Sequence, residues 1–149
     1  MNFKFTTWDK RFMQMAELIG SWSKDTSHQI GAVIVDNEKR IVSTGFNGFA
    51  KSIKDSKYRL TTKEVKRSLM LHAEVNAILY AKRDLTGCTI DVYGLPCCCN
   101  CASTIIQSGI KKVIYKNTRN GGVSDYWREN INMALALFKE AGVKVKEMK

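Results

Sequence analysis

Two short stretches, Leu71-His72-Ala73-Glu74 and Pro96-Cys97-Cys98-Cys99-Asn100-Cys101, decide how this chain must fold. The first contains a His-x-Glu motif and the second a Cys-x-x-Cys pair. One imidazole and two thiolates form a donor set that zinc prefers, and three protein ligands leave the fourth position of a tetrahedral ion open for water. The fold therefore has to bring two segments that are distant in sequence to one point.

The identity of the ligands follows from the spacing of the cysteines. Four of the five cysteines lie between Cys97 and Cys101. Only Cys98 and Cys101 stand three positions apart, which places both sulfurs on one face of a helix. A helix N-terminus also favours the thiolate form. We therefore expect Cys98 and Cys101 to bind the metal, with His72 as the third ligand.

Glu74 is the candidate catalytic residue, because it stands two positions after His72 and is free to transfer protons if it stays off the metal. A structural zinc site is the non-enzymatic alternative. Cys97 or Cys99 could close the fourth position in such a site, and Glu74 would then be idle. His28, which has no such neighbours in the sequence, is expected to be structural or on the surface.

The bulk composition predicts one globular domain, residues 1–149. Apolar residues make up 44% of the chain and charged residues 26%, an ordinary balance for a globular protein. Residues 30–35 form the longest apolar run and are too few to span a bilayer, so we expect no membrane association. No apolar signal segment is visible in residues 1–7. Clustered free thiols favour a reducing compartment, which predicts a cytoplasmic location.

The formal net charge of +10 comes from basic residues scattered along the chain. A basic surface attracts phosphate-bearing ligands of any size. The charge is therefore compatible with a nucleotide substrate and with a nucleic-acid substrate alike.

The periodicity of apolar residues predicts the element order α-β-β-α-β-α-β-α-β, which is typical of an α/β sheet covered by helices. An amphipathic first helix is predicted from a stripe that we expect in the core: Trp8, Phe12, Met15, Ile19 and Trp22. Residues 47–62 are predicted to be a long loop. The remaining predicted elements are strands at 30–35, 40–46, 88–93, 111–116 and 143–145, helices at 72–82 and 98–108, and a last helix marked by Ile131, Ala134, Leu135 and Phe138.

Four stretches of this sequence resemble the cytidine and deoxycytidylate deaminase superfamily, and within it the dCMP deaminases. They are Trp22–Asp25 with Ile30–Val35, Ile41–Phe49, His72–Ile78 and Cys98–Ile110. The resemblance implies a three-layer α/β/α sandwich around a mixed five-stranded sheet. One departure is Cys97, which stands between Pro96 and Cys98 either in place of a second proline or as a one-residue insertion.

The resemblance also implies roles for individual residues. Zn²⁺ would be the cofactor, and Glu74 would pass protons between the attacking water and the base. Asn47 would hydrogen-bond the sugar, and the Ala73 backbone N–H would contact the base. Lys24, from its placement in the motif and its charge, would either contact the phosphate or be an ordinary surface lysine.

The function implied is hydrolytic deamination of a cytosine nucleotide, with dCMP giving dUMP and ammonia for thymidylate synthesis. The alternative is a tRNA adenosine deaminase or another nucleic-acid deaminase, although we do not expect nucleic acid to be the substrate. Relatives of this kind form dimers or hexamers, so a homo-oligomer is expected.

Overall fold

The computed structural model describes residues 4–120 and 122–149. Six helices and five strands occur in these ranges. The helices are α1 (Thr7–Gly20), α2 (Lys57–Thr61), α3 (Lys63–Leu69), α4 (Ala73–Ala81), α5 (Cys99–Gln107) and α6 (Asp125–Glu140). The strands are β1 (Gly31–Val35), β2 (Ile41–Phe46), β3 (Thr89–Gly94), β4 (Lys112–Asn117) and β5 (Lys144–Glu147). Within the described ranges, no helix combines the length and the apolar character needed to cross a membrane.

The five strands form one mixed sheet in the order β2-β1-β3-β4-β5. The β1 strand pairs antiparallel with both β2 and β3, whereas β3, β4 and β5 run parallel. The two parallel pairs are joined by helical crossovers, α5 and α6, as parallel pairing requires. The predicted α/β sandwich with a mixed five-stranded sheet is thereby confirmed.

Each face of the sheet has its own apolar core. On one face α1 packs Phe12, Met13 and Ala16 against Val33 and Ile114. On the other face α4, α5 and α6 cover a larger core that contains both cysteines of the Cys-x-x-Cys pair. The sheet thus lies between two helical layers, and the predicted metal ligands belong to the larger one.

The α4 helix lies unusually close to β2. A Cβ atom at Gly45 would collide with the Ala73 carbonyl oxygen and the Ala77 backbone nitrogen, so only glycine allows this approach. Two hydrogen bonds add to the contact: Ser43 Oγ donates to the Ala77 carbonyl at 2.7 Å, and Asn76 Nδ2 donates to the Phe46 carbonyl at 2.8 Å. The start of α4 is therefore fixed relative to the sheet.

Two structural predictions were wrong in part. Residues 47–62 are not all loop, because α2 occupies part of this range and α3 follows it. Neither helix contains a buried residue, so both lack the apolar stripe by which a sequence reveals a helix. In addition, Trp8 and Trp22 are exposed rather than in the core. The α1 helix ends before Trp22, and its buried stripe runs through Phe12 and Ile19 instead.

Asp91 is a buried carboxyl group in the middle of β3. Its side chain is only 1% exposed, and neither of its oxygens has a hydrogen-bond partner among the described residues. Burial, together with the negative charge of Asp9, raises the pKa of Asp91 to about 7, although Lys112 and Lys39 act in the opposite direction. Asp91 is therefore largely protonated in the folded protein below neutral pH.

This carboxyl group should make the fold less stable as the pH rises from about 4 to 7. In that window the folded state keeps a proton that the unfolded chain releases. We expect Asp91→Asn to remove this dependence, gaining roughly 2–3 kcal/mol relative to the wild type between pH 5 and pH 8. Urea unfolding of the zinc-loaded protein measures it, with the exposed Asp125→Asn as the control. An unchanged pH slope in Asp91→Asn would contradict the assignment.

Candidate active site and metal centre

The two predicted motifs meet because each lies at the start of a helix, and the two helix starts lie next to each other. His72 is the N-cap of α4 and Cys98 is the N-cap of α5, both with extended backbone angles. Cys101 lies in the first turn of α5, and its backbone N–H donates to Cys98 Sγ at 3.4 Å. The free N–H groups of two helix N-termini therefore surround one small volume, which favours anionic ligands and substrates there.

Three side chains in this volume can hold one metal ion. His72 Nδ1 lies 3.2 Å from Cys101 Sγ and 3.5 Å from Cys98 Sγ. The three candidate ligand atoms all lie within 4.8 Å of one another. In tetrahedral zinc the distance between a nitrogen ligand and a sulfur ligand is about 3.6 Å, given the usual bond lengths. The site therefore fits zinc in both size and donor type.

The protonation of the two cysteines is linked. Hydrogen bonds from Cys101 and His72 lower the pKa of the Cys98 thiol to about 4, despite its burial. The same contact with Cys98 raises the pKa of the Cys101 thiol, because the Cys101 proton is held in the hydrogen bond to Cys98. The contact with Cys98 also raises the pKa of the His72 imidazole. A bound metal ion would stabilise both sulfurs as thiolates.

Glu74 lies in the first turn of α4, directly beside this centre. Its side chain is 4% exposed, and burial raises the pKa of the carboxyl group, although the charge of His72 and a hydrogen bond from Cys101 lower it. A carboxylate whose pKa is raised by burial is a stronger base than an exposed one, which suits it to accept a proton. Among the described residues Glu74 is not part of the metal-ligating group.

Neither of the other two clustered cysteines joins the three ligand candidates in the described part of the chain. Cys97 is buried, and burial together with the charge of Glu74 raises the pKa of its thiol well above the usual range. Cys99 begins α5, and its backbone N–H donates to Asn130 Oδ1 at 2.9 Å. This bond ties α6 to the helix that carries the Cys-x-x-Cys pair.

A cavity of about 450 Å³ is lined by two of the ligand candidates, His72 and Cys98, and by Glu74. The 25–30 segment, which precedes β1, forms one wall, and α2 and α3 form another. Trp127 and Ile131 of α6 complete the enclosure. A volume of this size is typical of a site for a small molecule such as a mononucleotide.

The residues predicted to bind substrate occupy different positions relative to this cavity. Ala73 and Asn47 both line it. The Ala73 N–H is one of the first four of α4, which have no carbonyl partner within the helix. Asn47 is buried and supports the wall, since its Nδ2 donates to the His28 carbonyl at 2.7 Å and its Oδ1 accepts from the Ile30 N–H at 2.9 Å. Lys24 is not a lining residue; its ammonium group pairs with Asp55 at 2.7 Å.

The structure adds cavity residues that sequence reasoning missed. Four cations line the cavity: Lys63, Lys66, Arg67 and Arg119. His28, expected to be structural or on the surface, is also in the wall, and burial together with nearby Arg119 lowers its pKa. No motif contains these residues. The basic character of the 51–67 segment was the only signal in the sequence that could have drawn attention to α3.

Residues 6–117 match the family model described as the cytidine and deoxycytidylate deaminase zinc-binding region. An uncharacterized deaminase in the luxG 3′ region of Aliivibrio fischeri is 51% identical over 138 residues, which cover 93% of this chain and 91% of that protein. The deoxycytidylate deaminase of Mus musculus is 38% identical, covering 93% of this chain and 78% of that protein.

A solved structure supports the fold. The dCMP deaminase of cyanophage S-TIM5, in complex with dCMP and dUMP, superposes with a TM-score of 0.75 at 24% identity, covering 98% of this chain and all of that one. The predicted resemblance is confirmed by these matches, and zinc is the metal of the family whose model the chain fits. With its two converging helix N-termini and their His, Cys and Cys donors, this chain belongs to the cytidine and deoxycytidylate deaminase family.

Proposed function

We propose that this protein catalyses the hydrolytic deamination of dCMP to dUMP and ammonia. The observation that carries the proposal is the convergence of His72, Cys98 and Cys101 beside the buried Glu74, at the floor of a cavity lined by cations. The similarity to deoxycytidylate deaminases over most of the chain supports a cytosine nucleotide as the substrate.

The three ligand candidates would hold zinc, which supplies a Lewis acid and lowers the pKa of water enough to provide a nucleophile at neutral pH. The Glu74 carboxylate accepts the proton of the attacking water. It delivers this proton to N3 of the cytosine ring. In a second transfer it takes the remaining proton of the added hydroxyl group and passes it to the departing amino group, which leaves as ammonia. Burial of Glu74 suits it to take up the water proton, since a carboxylate with a raised pKa is a stronger base.

The base and the sugar would be oriented by groups that are already fixed. The Ala73 N–H lies at the rigid start of α4 and would donate to the base. Asn47 would contact the sugar with the second hydrogen of its Nδ2, since one hydrogen already holds the His28 carbonyl. Trp127 offers an aromatic surface in the cavity wall.

The phosphate would be bound by the cations of the cavity rather than by Lys24. Lys66 is already paired with Asp25 at 3.1 Å, which leaves Lys63, Arg67 and Arg119 as the groups that could meet an added anion. Arginine is well suited to this task because its guanidinium group can bind phosphate in a bidentate manner.

We also propose that the protein acts in the cytoplasm as a homo-oligomer. All five cysteines are free, as a reducing compartment requires. Exposed apolar side chains near the β2 edge of the sheet offer a surface for a second copy, among them Trp22, Phe46, Leu79 and Tyr80.

Turnover should be specific for the nucleotide. We expect the zinc-loaded protein to release ammonia from dCMP, but not from deoxycytidine or from a tRNA anticodon stem-loop. Glu74→Gln should lower kcat by at least about 10²-fold, because it removes the general acid–base group while preserving shape. An ammonia-release assay on all three substrates measures this. Turnover of the stem-loop instead of dCMP would show that the protein is a nucleic-acid deaminase.

The zinc site should depend on two cysteines and not on their neighbours. We expect Cys98→Ala and Cys101→Ala to abolish stoichiometric zinc binding, because each removes a ligand. Cys97→Ala and Cys99→Ala serve as matched controls and should retain one zinc per chain. Elemental analysis after dialysis against a weak chelator gives the stoichiometry. Zinc loss in either control would indicate a closed four-ligand site and an idle Glu74.

Phosphate recognition should be separable from the chemistry. Arg67→Ala and Arg119→Ala should each lower kcat/KM for dCMP by about 10- to 100-fold, mainly through KM, because each removes a charge-assisted contact. The exposed Lys24→Ala should change kcat/KM by less than about threefold. Steady-state kinetics on the three variants tests the assignment, which would be wrong if Lys24→Ala had the largest effect.

A further inference from the structure

The segment between Gly48 and Leu71 extends away from the rest of the protein, which we call the body, and the two ends of the segment lie next to each other. These two residues form an isolated antiparallel bridge, in which the Gly48 N–H donates to the Leu71 carbonyl at 3.0 Å and the Leu71 N–H to the Gly48 carbonyl at 2.8 Å. Asn47, next to one end, lines the cavity, and His72, next to the other, is a ligand candidate. We call residues 49–70 the flap.

The flap is weakly attached to the rest of the protein. Its two helices, α2 and α3, contain no buried residue and pack chiefly against each other. In contrast, α4 and α5 carry residues of the larger core. Segments with few buried apolar contacts open at a lower free-energy cost than the core elements do.

The flap nevertheless forms one wall of the catalytic cavity. Leu60, Thr61, Lys63, Lys66 and Arg67 all line it. Residues of the body, including His28 and Arg119, line the same cavity. A movement of the flap would therefore widen or close the path to Glu74 and the metal centre.

One shielded ion pair joins the flap to the body. Lys66 Nζ lies 3.1 Å from Asp25 Oδ1, with side chains 14% and 5% exposed. Asp25 is held in place by the Ser27 N–H at 2.9 Å and the His28 N–H at 3.3 Å. A second pair, Lys24 with Asp55, is well exposed, and such pairs contribute little. Lys51 of the flap also lies over the exposed ring of Tyr80 at 5.0 Å. Since this contact and the Lys24–Asp55 pair are both exposed, the shielded pair is the principal electrostatic contact between the flap and the body.

We propose that residues 49–70 are a mobile flap latched by the Asp25–Lys66 pair, and that the substrate phosphate holds it closed by bridging Lys63 and Arg67 of the flap to Arg119 of the body. The second half of this proposal rests on the proposed function, because it needs a nucleotide in the cavity. The latch itself needs only the geometry of the apoenzyme.

The charges explain why closure would distinguish a nucleotide from a nucleoside. Four cations line the cavity, and Asp25 neutralises one of them. Mutual repulsion of the other three works against the latch, and a bound anion would relieve it. A nucleoside leaves that repulsion in place, whereas a 5′-phosphate removes it and adds charge-assisted hydrogen bonds. Selectivity would therefore arise from flap closure as well as from binding energy.

Hydrogen exchange of the zinc-loaded protein tests the latch directly. Lys66→Met removes the charge and keeps the aliphatic length, and we expect amides of residues 57–69 to exchange about tenfold faster or more. Lys66→Arg should restore slow exchange because it keeps the charge. Lys57→Met is the matched control, since it removes a flap cation that does not line the cavity. Equal exchange in the wild type, Lys66→Met and Lys57→Met would overturn the latch.

The same measurement with added ligand tests closure. The product dUMP should slow exchange of residues 57–69 in the wild type, and deoxyuridine at equal occupancy should not. The effect of dUMP should be lost in Arg119→Ala. Equal protection by dUMP and deoxyuridine would overturn the role of the phosphate.

The turnover assay tests the proposed function, and the hydrogen-exchange measurement tests the latch. A protein that fails to deaminate dCMP yet shows faster flap exchange in Lys66→Met would refute the proposed function and retain the latch. A protein that deaminates dCMP with flap exchange unaffected by Lys66→Met would retain the function and refute the latch.

Discussion

The close contact between α4 and β2 at Gly45 is the constraint on which the site depends. Because no side chain intervenes, the start of α4 lies directly against the sheet, and His72 is held at a fixed distance from the end of β3. The chain that leaves β3 then begins α5 at Cys98. Two helix N-termini therefore converge, and the metal centre forms where their unpaired N–H groups meet.

The same convergence organises the electrostatics. Helix N-termini favour negative charge, which matches a thiolate at Cys98 and a polar transition state beside Glu74. Further out, the cavity wall is cationic at Lys63, Arg67 and Arg119. The positive charge of the chain, +10 in total, is thus found in the cavity wall as well as over the surface. In our proposal, the same cavity therefore combines metal and acid–base chemistry with recognition of an anion.

Rigid and loosely held parts of the fold are divided between these two tasks. The groups placed for chemistry lie on α4 and α5, which contribute to the larger core. Part of the wall placed for phosphate recognition lies on α2 and α3, which have no buried residue. Chemistry requires fixed distances, whereas entry of a charged substrate into a cavity requires a wall that can move. In our proposal the fold meets both requirements, because the flap is a separate excursion of the chain whose ends are joined by the Gly48–Leu71 bridge.

The sequence by itself determined the metal-binding motif, the candidate acid–base residue Glu74 and the α/β architecture, because each depends on short-range spacing or on an apolar period. It did not reveal α2 and α3, whose residues lack a buried stripe, or the exposure of Trp8 and Trp22. Only the tertiary structure placed Arg67, Arg119 and Trp127 in one cavity and Lys24 outside its lining. These residues come from separate segments, and their proximity results from chain crossovers and a loop closure that leave no local pattern in the sequence.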